Sequence, residues 1–141
     1  FMGYCHAWAV SIASHHDSEE AVVFPILNTK LDFSREIAQH KVIHERLDAL
    51  LAFIASAKAD PSKFDAAKMR EMMFAFKDPL FQHLDDEVSH ITSDKMTVFS
   101  KEEVLDLDAH LEAYAKTHGD PFLLVPFMRS HTPPELKDTW P

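Results

Sequence analysis

Between Asp32 and Asp60 the chain places Ile37, Ile43, Leu47, Leu50, Leu51 and Ile54 on one stripe, with no glycine or proline to interrupt it. Steps of three and four keep such residues on one side of a helix, whereas the two-residue period of a strand would scatter them over both faces. A long one-sided helix buries its stripe only against other elements, so this segment alone directs the chain toward a helical bundle. Asp32 or Ser34 is placed to cap its start, and Asp60-Pro61 closes it.

Three further segments carry the same period. Phe1, Cys5, Trp8 and Ile12 begin a first helix that continues through Val23 toward Pro25. A third helix begins near Asp65, runs through Met69, Met72, Met73 and Phe76, meets Pro79, and resumes with Leu80, Leu84, Val88 and Ile91. Pro79 must either kink one long helix or, with Asp78 as cap, open a new one. A fourth shows a capping box from Ser100 to Glu103 and stops at His118-Gly119, where glycine suits a left-handed terminal position. After Gly119 the period is lost, and five of the eight prolines accompany Phe122, Leu123, Leu124, Val125, Phe127 and Trp140. This expectation divides the chain into a bundle, 1–118, and a proline-rich strap, 119–141, lying extended across it.

Composition narrows the function. Only Gly3 and Gly119 are glycine, against a turn-rich β fold. A formal charge of −9 repels phosphate backbones and anionic lipid, which argues against nucleic acid and membrane partners and in favour of cations. Cys5 stands alone, so no intrachain disulfide forms. No apolar run approaches the roughly 20 residues that span a bilayer. A soluble, cytoplasmic protein is the default expectation, and a homo-oligomer is left open. The chain opens on Phe-Met-Gly-Tyr-Cys, already inside an amphipathic segment, and reads as a piece entered mid-protein.

The ten histidines carry the chemistry. Random placement gives roughly 1.4 pairs in which His is followed four residues later by His or Glu. The sequence has five: His15/Glu19, His16/Glu20, His40/His44, His83/Glu87 and His131/Glu135. The last lies in the tail; the others fall on three separate helices. His40 and His44 fall within the arc of Ile37, Leu47 and Leu51, with Glu36 at its edge, and His83 and Glu87 flank Leu80, Leu84 and Ile91. On the first helix His16 and Glu19 lie nearest the apolar stripe, with His15 and Glu20 to either side, so periodicity leaves open which pair points inward. Buried imidazoles and carboxylates need compensation. Together they suit iron, manganese or zinc, and two carboxylates able to bridge suggest a two-metal centre. On that reading HHDSEE, residues 15–20, is one wall of a metal site, and the AVVF that follows is its dry shell. A lone pair of this kind is more often a surface ion pair or a satisfied core histidine. His6, His90, His110, His118 and His131 read as surface or capping residues, and Met69, Met72 and Met73 as core filler.

With its FMGYCHAW, HHDSEEAVVFP, QHKVIH and FQHLDDE stretches and a proline-rich tail ending in WP, the sequence resembles the hemerythrin-like (HHE cation-binding) family, in particular small fungal members. The resemblance implies an all-α, up-down four-helix bundle holding two non-haem irons, bridged by two carboxylates and an oxygen. Carried over position by position, it implies His16, His40, His44 and His83 as terminal ligands and Glu20 and Glu87 as bridges. The family's bundle begins with a further helix bearing one more histidine, which this chain is expected to lack. Such a site would bind dioxygen reversibly at an open iron position, or sense iron or redox state. Two other classes stay open: a di-iron carboxylate oxidase or peroxide-consuming enzyme, although Glu87-Val-Ser-His90 is its only Glu-x-x-His motif, and a helical interaction module whose histidines are structural or bind zinc loosely.

Overall fold

The computed structural model describes residues 1–139; Trp140 and Pro141, counted above as part of the strap, lie outside the described residues. Helix α1 spans Met2–Ser18 and passes through a π-helical turn, Glu19–Val23, into the short α2, Phe24–Leu27. The remaining helices are α3 (Ser34–Ala59), α4 (Ala66–His90), α5 (Ser93–Met96), α6 (Lys101–His118) and α7 (Pro121–His131), and 3-10 turns occupy Pro61–Lys63 and Pro134–Thr139. No strand occurs among the described residues.

Local chemistry sets these boundaries. Asp65 accepts the N–H groups of Ala67 and Lys68 at the start of α4, and Ser100 and Glu103 cap α6 reciprocally, satisfying donors that the first turn leaves without partners. Pro79 sits inside one continuous α4, the first of the two alternatives. Gly119 does not adopt the left-handed conformation expected of it: its φ of −79° and ψ of 142° are extended. Its lack of a side chain matters for another reason, since a Cβ there would lie 2.9 Å from the Ala115 carbonyl oxygen.

The tail departs from the expected strap, because residues 121–131 form a helix. Asp120 accepts the N–H of Phe122 at 2.9 Å and of Leu123 at 3.3 Å, and Pro121 occupies the first turn, where its missing N–H costs nothing. Pro126 removes the donor owed to the Phe122 carbonyl, but Phe122 is 91% exposed and water can serve instead. The helix packs on α1, where Tyr4 meets the Phe127 ring edge-on and its hydroxyl lies 3.0 Å from His131 Nε2.

Three helices define the core, and each is chemically divided along its length. The buried stripe of α3 is Glu36, His40, Ile43, Leu47, Leu50, Ile54 and Ala57, so it is polar at its N-terminal end and apolar beyond. This stripe is rotated from the expected one, for Ile37 is 41% exposed. Helix α4 buries Met69 and Phe76, then His83 and Glu87; α1 buries Cys5 and Ala9, then His16. Trp8 meets Phe76 edge-on, while His16, His40 and His83 meet one another, so α1 and α4 run one way and α3 the other. The up-down arrangement thereby stacks all apolar segments at one end and all polar segments at the other. Burial of Ile43, Leu47, Leu50, Ile54 and Phe76 contributes roughly 1.5–3 kcal/mol per side chain to the apolar end. A second, smaller core of Phe24, Leu27, Phe33 and Phe99 closes the other end. Both α1 and α4 lean chiefly on α3, and an apolar groove of about 600 Å³ lies between them, lined by Tyr4, Trp8, Met73, Phe74, Leu80 and Phe81 among others.

Candidate metal centre

Where the polar segments meet, four buried groups converge: His16, Glu19, His40 and His83 each offer one ligand atom, all within 4.8 Å of one another. His16, His40 and His83 are fully shielded from water, and Glu19 is 5% exposed. His40 Nε2 stands 3.1 Å from His83 Nε2 and 3.4 Å from Glu19 Oε2. Two donor atoms each about 2.1 Å from one cation, at tetrahedral or octahedral angles, lie about 3.0–3.4 Å apart, so these separations suit a shared ion. Neither nitrogen of His16 has a hydrogen-bond partner, nor has Glu19 Oε2, among the described residues. Buried polar atoms without partners are costly, and imidazoles with a carboxyl are a donor set that suits a cation.

Two adjoining groups extend the cluster. Glu19 Oε1 lies 3.1 Å from His15 Nε2, and these two residues form a second candidate set with Glu87. Glu19 therefore presents one oxygen to each set, which is the disposition of a bridging carboxylate. On the far side of His40, Nδ1 lies 3.0 Å from Glu20 Oε1, and His44 Nε2 lies 3.4 Å from the same oxygen. His83 Nε2 is 3.8 Å from Glu87 Oε2. All six residues singled out from the sequence thus belong to one contiguous cluster, but in unequal positions: His16, His40 and His83 are innermost, Glu87 is nearly buried, and Glu20 and His44 are partly exposed.

The inward pair on the first helix is His16 with Glu19, across a π turn. Phe24 N–H bonds to Glu19 O, five residues back, and this widened turn displaces the following residues from a regular α-helical register. At the start of this turn Glu19 faces the interior and Glu20 faces His40 and His44. The helical wheel places His16 and Glu19, these same two buried residues, nearest the apolar stripe, while nothing in residue type marks the π turn. Residues within and after it form the dry wall: Val22, Phe24 and Leu27 are buried, and the Phe24 ring lies 5.1 Å from that of His40.

Electrostatics follow burial. Loss of water, reinforced by neighbouring imidazoles, pushes His16 down to about 2 and His40 to about 3, and burial lowers His83 as well. Burial first, and then the hydrogen bond and charge of Glu87, push Glu19 up to about 9. At neutral pH the three imidazoles are neutral and able to ligate, while Glu19 holds a proton that a cation would displace.

His90, expected at the surface, instead pairs with the buried Glu36 at 2.9 Å and stacks on Phe33 with ring centres 4.3 Å apart. Sequence reasoning also passed over Gln39 and Asp86, although both lie inside the QHKVIH and FQHLDDE stretches. His110, His118 and His131 bond to carbonyls on their own helices.

A helical bundle with an interior cluster of imidazoles and carboxylates defines a metal-binding class of protein. Residues 2–92 match the hemerythrin family, described as the hemerythrin HHE cation binding domain, and the chain belongs to that family. It is also 30% identical over 112 residues to the dimeric xanthone biosynthesis cluster protein R11 of Cryptosporiopsis sp. (strain 8999). That match takes in 71% of this chain and 42% of the relative, so the chain spans less than half of the relative's length. No solved structure matches. No described helix is long and apolar enough to cross a membrane.

Proposed function

We propose that this chain is a non-haem di-iron protein that binds or senses dioxygen or iron. The observation that carries the reading is His40 Nε2 standing 3.1 Å from His83 Nε2 and 3.4 Å from Glu19 Oε2 in a dry interior. His40 Nδ1 faces the Glu20 carboxylate, an acceptor, so it holds the ring proton and leaves a lone pair on Nε2. His83 Nδ1 faces the Gln39 amide oxygen, also an acceptor, so its Nε2 likewise keeps a lone pair. Two imidazole lone pairs so placed repel one another, and a cation shared with the Glu19 oxygen would relieve that repulsion.

In this reading His16, His40 and His83 would hold one ion, Glu87 and His15 would contribute to a second, and Glu19 would offer an oxygen to each set. Glu20 would orient His40 through Nδ1, with His44 against the same carboxylate. Iron, when bound, supplies redox chemistry and an affinity for dioxygen. The chain's own residues do the rest. Val22, Phe24 and Leu27 exclude water, and Glu19 holds the proton that a bound cation would displace. Imidazole with carboxylate suits manganese and zinc as well, and the family match supports a cation without choosing among them.

The reading is tested by metal analysis of protein purified without chelators, together with its absorption spectrum. Iron close to two per chain with a near-ultraviolet charge-transfer band supports it. Zinc alone, with no colour after anaerobic iron loading and exposure to air, contradicts it. Rapid peroxide or ferrous-iron turnover, abolished in a Glu87→Ala variant, would place the site among the enzymes.

A further inference from the structure

The two ring nitrogens of His83 have different neighbours. Nε2 faces His40 across the cluster, while Nδ1 lies 3.3 Å from Gln39 Oε1. The amide nitrogen of Gln39 lies 2.6 Å from Asp86 Oδ2. A carboxylate only accepts, so the Gln39 NH₂ must point at Asp86 and its oxygen at His83. That oxygen also only accepts. His83 Nδ1 must therefore donate, and the lone pair is left on Nε2, facing the cluster.

Asp86 is itself fixed. Arg35 Nη2 lies 2.5 Å from Oδ2, and Gln82 Nε2 donates to Oδ1 at 3.1 Å. The Asp86 side chain is 14% exposed and that of Arg35 66%, so the chain of contacts runs from solvent to a fully buried imidazole in three links. It also crosses between helices. Arg35 and Gln39 are four apart on α3, and His83 and Asp86 are three apart on α4, so each helix presents its two members on one face. Gln39 is the immediate neighbour of His40, so one turn of α3 supplies one inner imidazole and the group that orients another.

We infer that Arg35, Asp86 and Gln39 are positioning residues that set the tautomer of His83, turning its Nε2 lone pair toward the cluster. As an isolated surface ion pair, Arg35 and Asp86 would contribute little to stability. Their consequence lies in where the His83 proton sits. Partners of this kind behind a metal-ligating imidazole typically change metal affinity about 10- to 100-fold. The inference rests on the reading of His83 as a ligand, but its first test does not.

That test is nitrogen-15 NMR of the metal-free protein, reading which ring nitrogen of His83 carries hydrogen, followed by titration with diamagnetic zinc. In the unmodified protein His83 should be protonated at Nδ1 alone. Gln39→Leu removes the acceptor and should shift His83 toward the Nε2–H form while lowering zinc affinity about 10- to 100-fold. Gln39→Glu, which keeps an acceptor, should keep the Nδ1–H form. An unmodified protein with His83 protonated at Nε2, or a Gln39→Leu variant unchanged in both tautomer and affinity, overturns the inference. If the tautomer responds as expected but neither zinc, manganese nor iron binds the unmodified protein, the relay stands and the metal reading falls.

Discussion

His40 Nε2 and His83 Nε2 face each other at 3.1 Å, and each nitrogen is left a lone pair by an acceptor on the far side of its ring, Glu20 for His40 and Gln39 for His83. Two neutral acceptors at this distance have no proton to share. Their helices are nevertheless held together by the apolar half of the same stripes, so the packing of Ile43, Leu47 and Phe76 imposes a contact that a bound cation would relieve.

The first prediction concerns the two adjacent glutamates. Glu19 is buried and offers an oxygen to each of two candidate positions, whereas the Glu20 side chain is 43% exposed. Glu19→Ala should lower metal stoichiometry at both positions, and Glu20→Ala should weaken affinity while leaving stoichiometry intact. Isothermal titration of both variants decides the matter; the reverse order would mean that loading rotates Glu20 into the interior.

Metal binding should depend on pH with a definite sign. Glu19 is raised to about 9, so its contribution to the stability of metal-free protein is complete below about 4.5 and is lost as pH rises toward 9. His16 and His40 are lowered, so their contribution is present above about 6.5 and is lost as pH falls through the acid range. A cation takes the place of the Glu19 proton, and below pH 9 that carboxyl adds about tenfold in affinity per pH unit. The rise in Tm on adding metal should be larger at pH 8 than at pH 6, with about one proton released at pH 7 to a pH-indicating dye. Equal rises at both pH values with no proton release would contradict the assignment.

The apolar end should be separable from the site. Leu50 is fully buried among Cys5, Ala9, Ile54 and Met69. Leu50→Ala should cost about 2–5 kcal/mol in urea unfolding of the metal-free protein without changing metal stoichiometry. A loss of metal in folded Leu50→Ala protein would show that the two halves are not independent.

The helix at residues 121–131 depends on its cap. Asp120→Ala removes the acceptor for Phe122 and Leu123 and should lower stability by about 1 kcal/mol, with faster amide exchange confined to α7. Unchanged exchange there would mean that packing of Phe127 on Tyr4, rather than the cap, holds the segment.

Much of this architecture is legible in the residues. Spacing located the long helices, Ser100 and Glu103 marked the start of α6, and His/Glu pairs on three helices pointed to one interior. What was not legible has physical causes. The buried face of α3 includes Glu36 and His40, which hydropathy counts as surface, so a stripe drawn through apolar residues alone was rotated toward Ile37. The π turn at Glu19–Val23 has no compositional mark, and it shifts the register of the residues that follow Glu19. Prolines suggested an extended tail, although one lies where a helix has no N–H to lose and the other where water replaces it. His90 pairs with Glu36 across two helices, a contact that no local spacing encodes.

The most direct measurement is the metal content of the protein isolated without added chelators, set beside its Tm before and after chelation. The account predicts close to two irons per chain and a fall in Tm when they are removed, because the cluster ties α1, α3 and α4 together. Protein that carries no transition metal, takes up none on loading, and melts at the same temperature throughout would contradict it.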